Sequence, residues 1–408
     1  MIAGLARIVR DVGVAEELAQ DALVAALEQW PQSGVPDNPG AWLTAAAKHR
    51  AIDYFRRNSM LDRKHEELGR EIDLQQRSTA ADFDAAIDDD IGDDLLRLIF
   101  TACHPVLSPE GRVALTLRLL GGLTTDEVAR AFLIPEATVA QRIVRAKRTL
   151  AEAKVPFEIP RGIDRAARLS SVLEVIYLIF NEGYSATEGE DWLRPALCEE
   201  ALRLGRVLAE LAPEEAEVHG LVALMEIQAS RSNARVGPSG EPILLLEQDR
   251  ARWDRLLIGR GVAALARAER RGGARGPYTL QASIAACHAR ARTPEETDWP
   301  RIVALYGELA RVAPSPVIEL NRAVAVSMAS GPKAALAIID PLLTDASLRN
   351  YHLLPSVRGD LLRLLGRLDE ARTEFERAAS LTRNSRERQL LLDRAQDCGA
   401  NPSARRPD

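Results

Sequence analysis

Cysteine is scarce and scattered in this chain. The four residues, at 103, 198, 287 and 398, form no C-x-x-C pair, which argues against a zinc ribbon or a disulfide framework. The six histidines, at 49, 65, 104, 219, 288 and 352, show neither H-E-x-x-H nor H-x-x-x-H spacing. Cys103-His104 and Cys287-His288 are adjacent pairs, which on a helix point in different directions. The phosphate-cradling G-x-x-x-x-G-K-[ST] is missing, and Gly272, Gly273 and Gly276 lie in an R-R-G-G-A-R-G stretch that reads as a connector. Neither an enzyme nor a metal or cofactor is expected. Long hydrophobic runs are missing too: the most apolar, Val172 to Phe180, is too short to span a bilayer and contains Glu174. No signal peptide precedes it, so the expected location is cytoplasmic, with reduced thiols and no membrane partner. Alternating β-type runs are not evident, and the expected fold class is all-α.

Against these absences, residues 123–150, LTTDEVARAFLIPEATVAQRIVRAKRTL, read as a helix, a tight turn and a second helix. Thr124 can cap the first helix while Glu127 reaches back in a capping box. Val128, Ala129 and Phe132 form its apolar stripe. Pro135 suits the first turn of the second helix, where its missing N–H does no harm. Val139, Ile143, Ala146 and Leu150 then recur at steps of four, three and four and share a buried face. Thr138, Gln141, Arg142, Arg145 and Arg148 lie opposite, and Gln and Arg can read purine edges while further cations neutralise phosphates. The pattern predicts a DNA-reading helix-turn-helix, although Leu133 stands where many such turns place a glycine. An amphipathic helical hairpin with a solvated basic side is the plainer alternative.

Upstream, residues 14–57 run VAEELAQDALVAALEQW, a loop PQSGVPDNPG, then AWLTAAAKHRAIDYFRR. The first helix is expected to end at Trp30, before a proline, and the second to begin after Pro39 and Gly40. From Lys48 to Lys64 six Lys or Arg face two Asp, a local charge of +4. Trp42, His49, Tyr54 and Phe55 are interleaved with these cations, an arrangement suited to unstacked bases on a single strand. Trp42 and Phe55 equally fit a core role, and for Phe55 burial is the expectation.

Together these two segments resemble the ECF class of sigma-70 factors, promoter-recognition subunits of bacterial RNA polymerase. Trp42, Leu43, Ala46, Ala51, Ile52, Asp53, Arg56 and Arg57 fall on the family's W-L-x-x-x-A-x-x-x-A-I-D pattern with basic ends, and the likeness covers about residues 4–153. It implies that Gln20, Asp21, Val24, Leu27 and Trp30 bind the polymerase core. It also implies that the loop 32–40 and the helix 42–57 melt and read the −10 element by capturing a flipped base, with Asp37, Asn38, Trp42, Lys48, His49, Arg50, Tyr54, Arg56 and Arg57 as contacts. The helix 136–154 would lie at the −35 element, using Thr125, Glu136, Thr138, Gln141, Arg142, Arg145, Lys147 and Arg148. Ala137, Ala140 and Gln141 depart from residues frequent in the family, so no −35 sequence is inferred. Members usually carry more residues before the segment equivalent to Ile8 and Val9, so the first helix is expected to be short.

Between Glu66 and Asp94 eleven acids face Arg70 and Arg77, a net −9 in a chain of −6, so the rest carries +3. So acidic and apolar-poor a segment is not expected to fold alone. In the family the equivalent linker threads the RNA-exit path, where acids would mimic the transcript. A solubilising tether has the same composition.

Beyond residue 156 the pattern predicts helices at 164–182, 192–211, 214–232, 247–270, 278–292, 299–312, 316–330, 333–343, 352–365 and 368–381. Ala335 and Ala371 align two helix pairs, and LLGRLDEARTEFERA resembles half of a tetratricopeptide repeat, an architecture that offers a concave surface to a protein or peptide partner. Within YLIFNEGYSATEGEDW, Gly183 is expected to cap a helix C-terminus with Tyr184 and Trp192 as core anchors; Asn181, Glu182 and Tyr184 could instead form a regulatory contact. YLIFNEGYSA resembles the start of the long helical extension of one ECF subgroup, in which the extension is thought to control activity.

The expected organisation is therefore residues 1–65 for polymerase and −10 binding, 66–92 as acidic linker, 93–156 as helix-turn-helix for −35 binding, and 157–408 as helical regulatory extension. The implied function is promoter recognition with core RNA polymerase and promoter DNA as partners. The alternatives are a polymerase-independent regulator whose helical domain senses a ligand or partner, and a helical scaffold with a degenerate DNA-binding end.

Overall fold

The computed structural model describes the backbone of residues 1–65, 91–132, 134–186, 188–272 and 275–399, and the side chains of these except 57–65, 91, 163 and 188. Leu133, Gly273 and residues 66–90 of the acidic linker lie outside the described residues. The fold is all-α; a two-residue parallel pairing is the only sheet among the described residues. The chain divides into two compact units, Met1–Arg130 with Ile134–Val175, and Ala131–Leu133 with Ile176–Asp408.

The first unit opens with α1 (Ile2–Val9), α2 (Val12–Ser33) and α3 (Pro39–His65). Asp11 starts α2 by accepting the Val14 N–H. Ala15, Leu18, Ala19, Ala22, Ala25 and Ala26 then repeat at helical spacing and are buried, the small side chains letting α1 and α3 approach closely. The helix does not stop at Trp30: it runs through Pro31 to Ser33 and ends at Gly34, whose N–H bonds the Trp30 carbonyl. The intervening loop is correspondingly short. Asn38 starts α3 by accepting the Ala41 N–H.

After the linker come α4 (Ile91–Ala102), α5 (Pro109–Leu119), α6 (Thr125–Phe132) and α7 (Glu136–Glu152). Leu98, Phe100, Leu115, Leu117 and Val139 form their core, each nearly inaccessible to solvent. The first half of α8 (Gly162–Tyr184) completes this unit. Ser171 donates to the Cys103 carbonyl, Arg168 to the Phe100 carbonyl, and buried Arg112 reaches Ser171 and Glu174. Residues 162–175 thus pack with α4 and α5.

The second unit contains the remainder of α8, β1 (Glu188–Gly189), α9 (Pro195–Leu211), α10 (Ala216–Ala229), α11 (Arg255–Arg270), α12 (Pro277–Arg290), α13 (Trp299–Val312), α14 (Pro316–Ser330), α15 (Pro332–Leu342), α16 (Leu353–Leu364), α17 (Leu368–Leu381), β2 (Arg383–Asn384) and α18 (Ser385–Gly399). The hairpins α14–α15 and α16–α17 turn on Gly331 (φ 90°) and Gly366 (φ 76°), a left-handed conformation that glycine adopts without strain. Ala335 and Ala371, the aligned pair, are both fully buried. The beginning and end of the unit meet. β1 pairs with β2, and the Asn384 amide, 1% exposed, donates to the carbonyls of Ala186 and Asp191 while its oxygen accepts the Arg386 and Glu387 N–H groups that start α18.

Gly183 does not cap a helix. It lies within α8, where a Cβ would stand 2.6 Å from the Cys198 nitrogen and 2.9 Å from the Leu197 Cβ, so its role is the close approach of α9. Gly307, inside α13, has nothing within 4 Å of such a Cβ. Gly183→Ala is therefore expected to lower stability by about 1–3 kcal/mol through overpacking. Gly307→Ala should raise it by about 0.5–1 kcal/mol through helix propensity. Thermal unfolding of the two variants checks this, and shifts of the same sign would contradict the packing.

Candidate nucleic-acid and partner-protein surfaces

Three surfaces gather the residues singled out by sequence, all in the first unit. On α2 the face opposite the alanine stripe carries Gln20, Asp21, Val24 and Leu27, all exposed, and Leu27 is 75% exposed. Leu23, which the sequence reading passed over, joins them at 46%. Leu23, Val24 and Leu27 thus leave an apolar stripe in water on a helix whose other side is packed. Trp30 is not on it. Its ring packs edge-on against Trp42 at 5.5 Å, joining α2 to α3.

The second surface spans the α2–α3 loop and α3. Asp37, Asn38, His49 and Arg56 are exposed, whereas Trp42, Lys48, Arg50 and Tyr54 are half-buried; the Arg57 side chain lies outside the described set. Asn38 caps α3, and Arg56 lies 3.9 Å from Asp53. Phe55, expected in the core, is 39% exposed and meets Tyr54 edge-on at 5.9 Å. The helix turns it outward because Ala47 and Ala51 occupy the packed face. Two adjacent rings thus lie beside the cations of α3.

The helix-turn-helix is the third. Thr124 donates its N–H to Glu127 at 2.7 Å and its hydroxyl accepts the Glu127 N–H at 3.1 Å, the reciprocal box expected. The donated N–H holds the Glu127 carboxyl below its ordinary range. Pro135 stands at the N-cap of α7, one residue earlier than expected, and the helix closes at Glu152, so Lys154 lies beyond it. Val139, Ile143, Ala146 and Leu150 are the buried residues, as their spacing implies. Glu136, Gln141, Arg145 and Arg148 are exposed; Thr125, Thr138 and Arg142 are half-buried. Val144, 64% exposed on the same outer side, was not anticipated. Arg148 pairs with Glu152 at 2.6 Å.

Lys147 is placed differently from its neighbours. It meets Glu16 of α2 at 2.6 Å, and the other oxygen of the same carboxylate takes Arg118 at 2.8 Å. Glu16 is 4% exposed. In this arrangement Lys147 joins α7 to α2 and is not part of the outward face.

In the second unit Asn181, Glu182 and Tyr184 turn inward. Glu182 pairs with Arg194, and Asn181 bonds the Tyr177 hydroxyl. The Tyr184 ring stacks on Phe180 and lies under the Arg235 guanidinium at 3.5 Å. Among the described residues no three His, Cys, Asp or Glu converge to hold a metal ion, and no helix is long and apolar enough to cross a membrane. Cys103 is buried and its thiol is pushed up to about 11.

The helices bearing these surfaces match known sequence families. Residues 2–60 match sigma-70 region 2, and residues 97–150 match sigma-70 region 4. The chain belongs to the sigma-70 family. Residues 168–269 of this sigma-70 protein match a family of unknown function, DUF6596. An uncharacterized protein of Rhizobium meliloti (strain 1021) is 44% identical over 400 residues, spanning 98% of this chain and 93% of that protein. No solved structure matches this chain. Region 2 takes in the α2 stripe and most of α3, and region 4 takes in the helix-turn-helix. The two regions support a sigma factor that recognises promoters.

Because Glu16 holds Lys147 off the outward face of α7, Glu16→Gln should free one cation for the duplex. The slope of log affinity against log salt is then expected to steepen by about one, measured by anisotropy on duplex DNA. An unchanged slope would mean that Lys147 contacts DNA already, or never.

Proposed function

We propose that this protein is an ECF-type sigma factor, working in the cytoplasm, whose helical extension controls its access to core RNA polymerase. The α2 stripe carries the reading: Gln20, Asp21, Leu23, Val24 and Leu27 leave an apolar face in water on a helix packed on its other side. A regulator that only bound an operator would have no use for it. In this reading the stripe docks on the polymerase core. The loop around Asp37 and Asn38, with Trp42, Lys48, His49, Arg50, Tyr54 and Arg56, opens the −10 element, Tyr54 and Phe55 stacking an unpaired base whose flipping costs a few kcal/mol. Arg57, whose side chain is outside the described set, is assigned the same role from sequence. Glu136, Thr138, Gln141, Arg142, Arg145 and Arg148 face the −35 element from α7, with Thr125 at the start of α6. No covalent chemistry is required.

Control by the extension rests on its size and on α8, whose first half packs with region 4 and whose second half begins the array. Partly exposed Val324 and Met328 on α14 give the array a surface for a peptide or protein partner. A shortened chain used to test control must keep α8, since Arg168 and Ser171 hold region 4 together.

Leu27→Asp is expected to weaken binding to core polymerase by about 30-fold, the loss typical of a hot-spot residue, with helicity unchanged because the side chain is exposed. Interferometry on immobilised core polymerase measures it. Full affinity in the variant, with duplex DNA bound normally by the wild-type chain, would favour the operator-binding regulator.

A further inference from the structure

Where the end of α1, the start of α2 and the end of α7 come together, the first unit encloses a half-open cavity of about 710 Å³. That volume falls within the usual range for small-molecule sites and is too small for a duplex. Five cations line it: Arg7, Arg10, Arg97, Lys147 and Lys154, against Asp11 and Glu158. Asp94 lies against Arg7 and Arg97, and Glu16 against Lys147, so these three have carboxylates behind them. Arg10 and Lys154 form no ion pair among the described residues. The two share a second property. Their φ angles are 55° and 47°, and they are the only non-glycine residues with positive φ among those described.

Glycine occupies such positions after helices without strain, and a side chain there costs about 1 kcal/mol. Two separate helix ends accept that cost, each with a cation, and both line the same cavity. The lining also has an apolar part, made by Leu150, Val155, Pro156 and Phe157. Cations and an aromatic ring in one cavity match a ligand with clustered phosphates and a flat ring.

We propose that this cavity binds a nucleoside polyphosphate, its phosphates between Arg7 and Arg10 on one side and Lys147 and Lys154 on the other, its base against Phe157. Such a ligand bridges region 2 and region 4 and holds them together. This closing role rests on the sigma-factor reading above; the binding itself does not.

The test uses the full-length chain and calorimetric titration with ATP, GTP, inorganic pyrophosphate and adenosine. Saturable binding of ATP or GTP is expected, weakened about tenfold in each of Arg10→Gly and Lys154→Gly. Neither variant should melt below the wild type without ligand, because glycine relieves the backbone. No saturable nucleotide binding, or equal affinity in both glycine variants, overturns the site. Lower melting of the variants with undiminished binding would make the cations mere helix-end stabilisers and also overturn it. Pyrophosphate binding as tightly as ATP would remove the base contact at Phe157 and with it the nucleotide assignment. Saturating ATP should also weaken polymerase binding by the wild type and not by the double variant; equal effects overturn the closing role alone.

Discussion

Glu16 ties the first unit together. Burial of a lone carboxylate costs several kcal/mol, so its position is tenable only with both Arg118 and Lys147 against it. Arg118 also donates to the Leu123 carbonyl, the residue that leads into the helix-turn-helix, so one acid on α2 sets the entry to α6 and the inclination of α7. The consequence reaches function. On the reading proposed above, promoter elements about 25 base pairs apart stand roughly 85 Å apart along the duplex at about 3.4 Å per pair, whereas Glu16 with its two cations holds the proposed readers side by side. In that reading a sigma factor held in this way cannot span a promoter, and engagement breaks the contact.

What the sequence made legible was whatever obeys a local period. The buried face of α7, the capping box at Thr124 and the helix hairpins after residue 299 follow from spacing of three and four and from turn glycines. Contacts between distant segments were not legible. Glu16 looks like one more exposed acid in AEELAQD, and Lys147 like one more basic residue of a reading helix, because nothing local tells that they meet. Gly183 was read as a helix end because a glycine after Asn and Glu resembles one; only the packing of α9 shows that it serves approach. The last helix, α18, was overlooked because its sequence, SRERQLLLDRAQDCG, is mostly polar and its place depends on Asn384.

That closure gives the second unit its character. An open array of helix pairs ends in a free edge, but here Asn384 fills its hydrogen-bonding capacity across the whole length of the unit, binding the segment after α8 to the start of α18. Near the same junction Trp192, Arg235, Tyr184, Arg231 and Trp253 alternate ring and guanidinium. The residues considered for a regulatory contact thus anchor the unit, and binding surfaces are better sought on its exposed apolar helices. The promoter contacts proposed above, in contrast, lie where side chains are in water: the loop before α3 and the outer face of α7.

The most direct test of the closed arrangement is a pair of spin labels at exposed Glu28 and Glu152, with the distance distribution recorded by pulsed dipolar spectroscopy in the free chain and after core polymerase and promoter are added. A single narrow distance in the free chain, unchanged by salt and lengthened on engagement, is expected. A broad or long distribution in the free chain would contradict the account, because Glu16 would then not hold the two readers together.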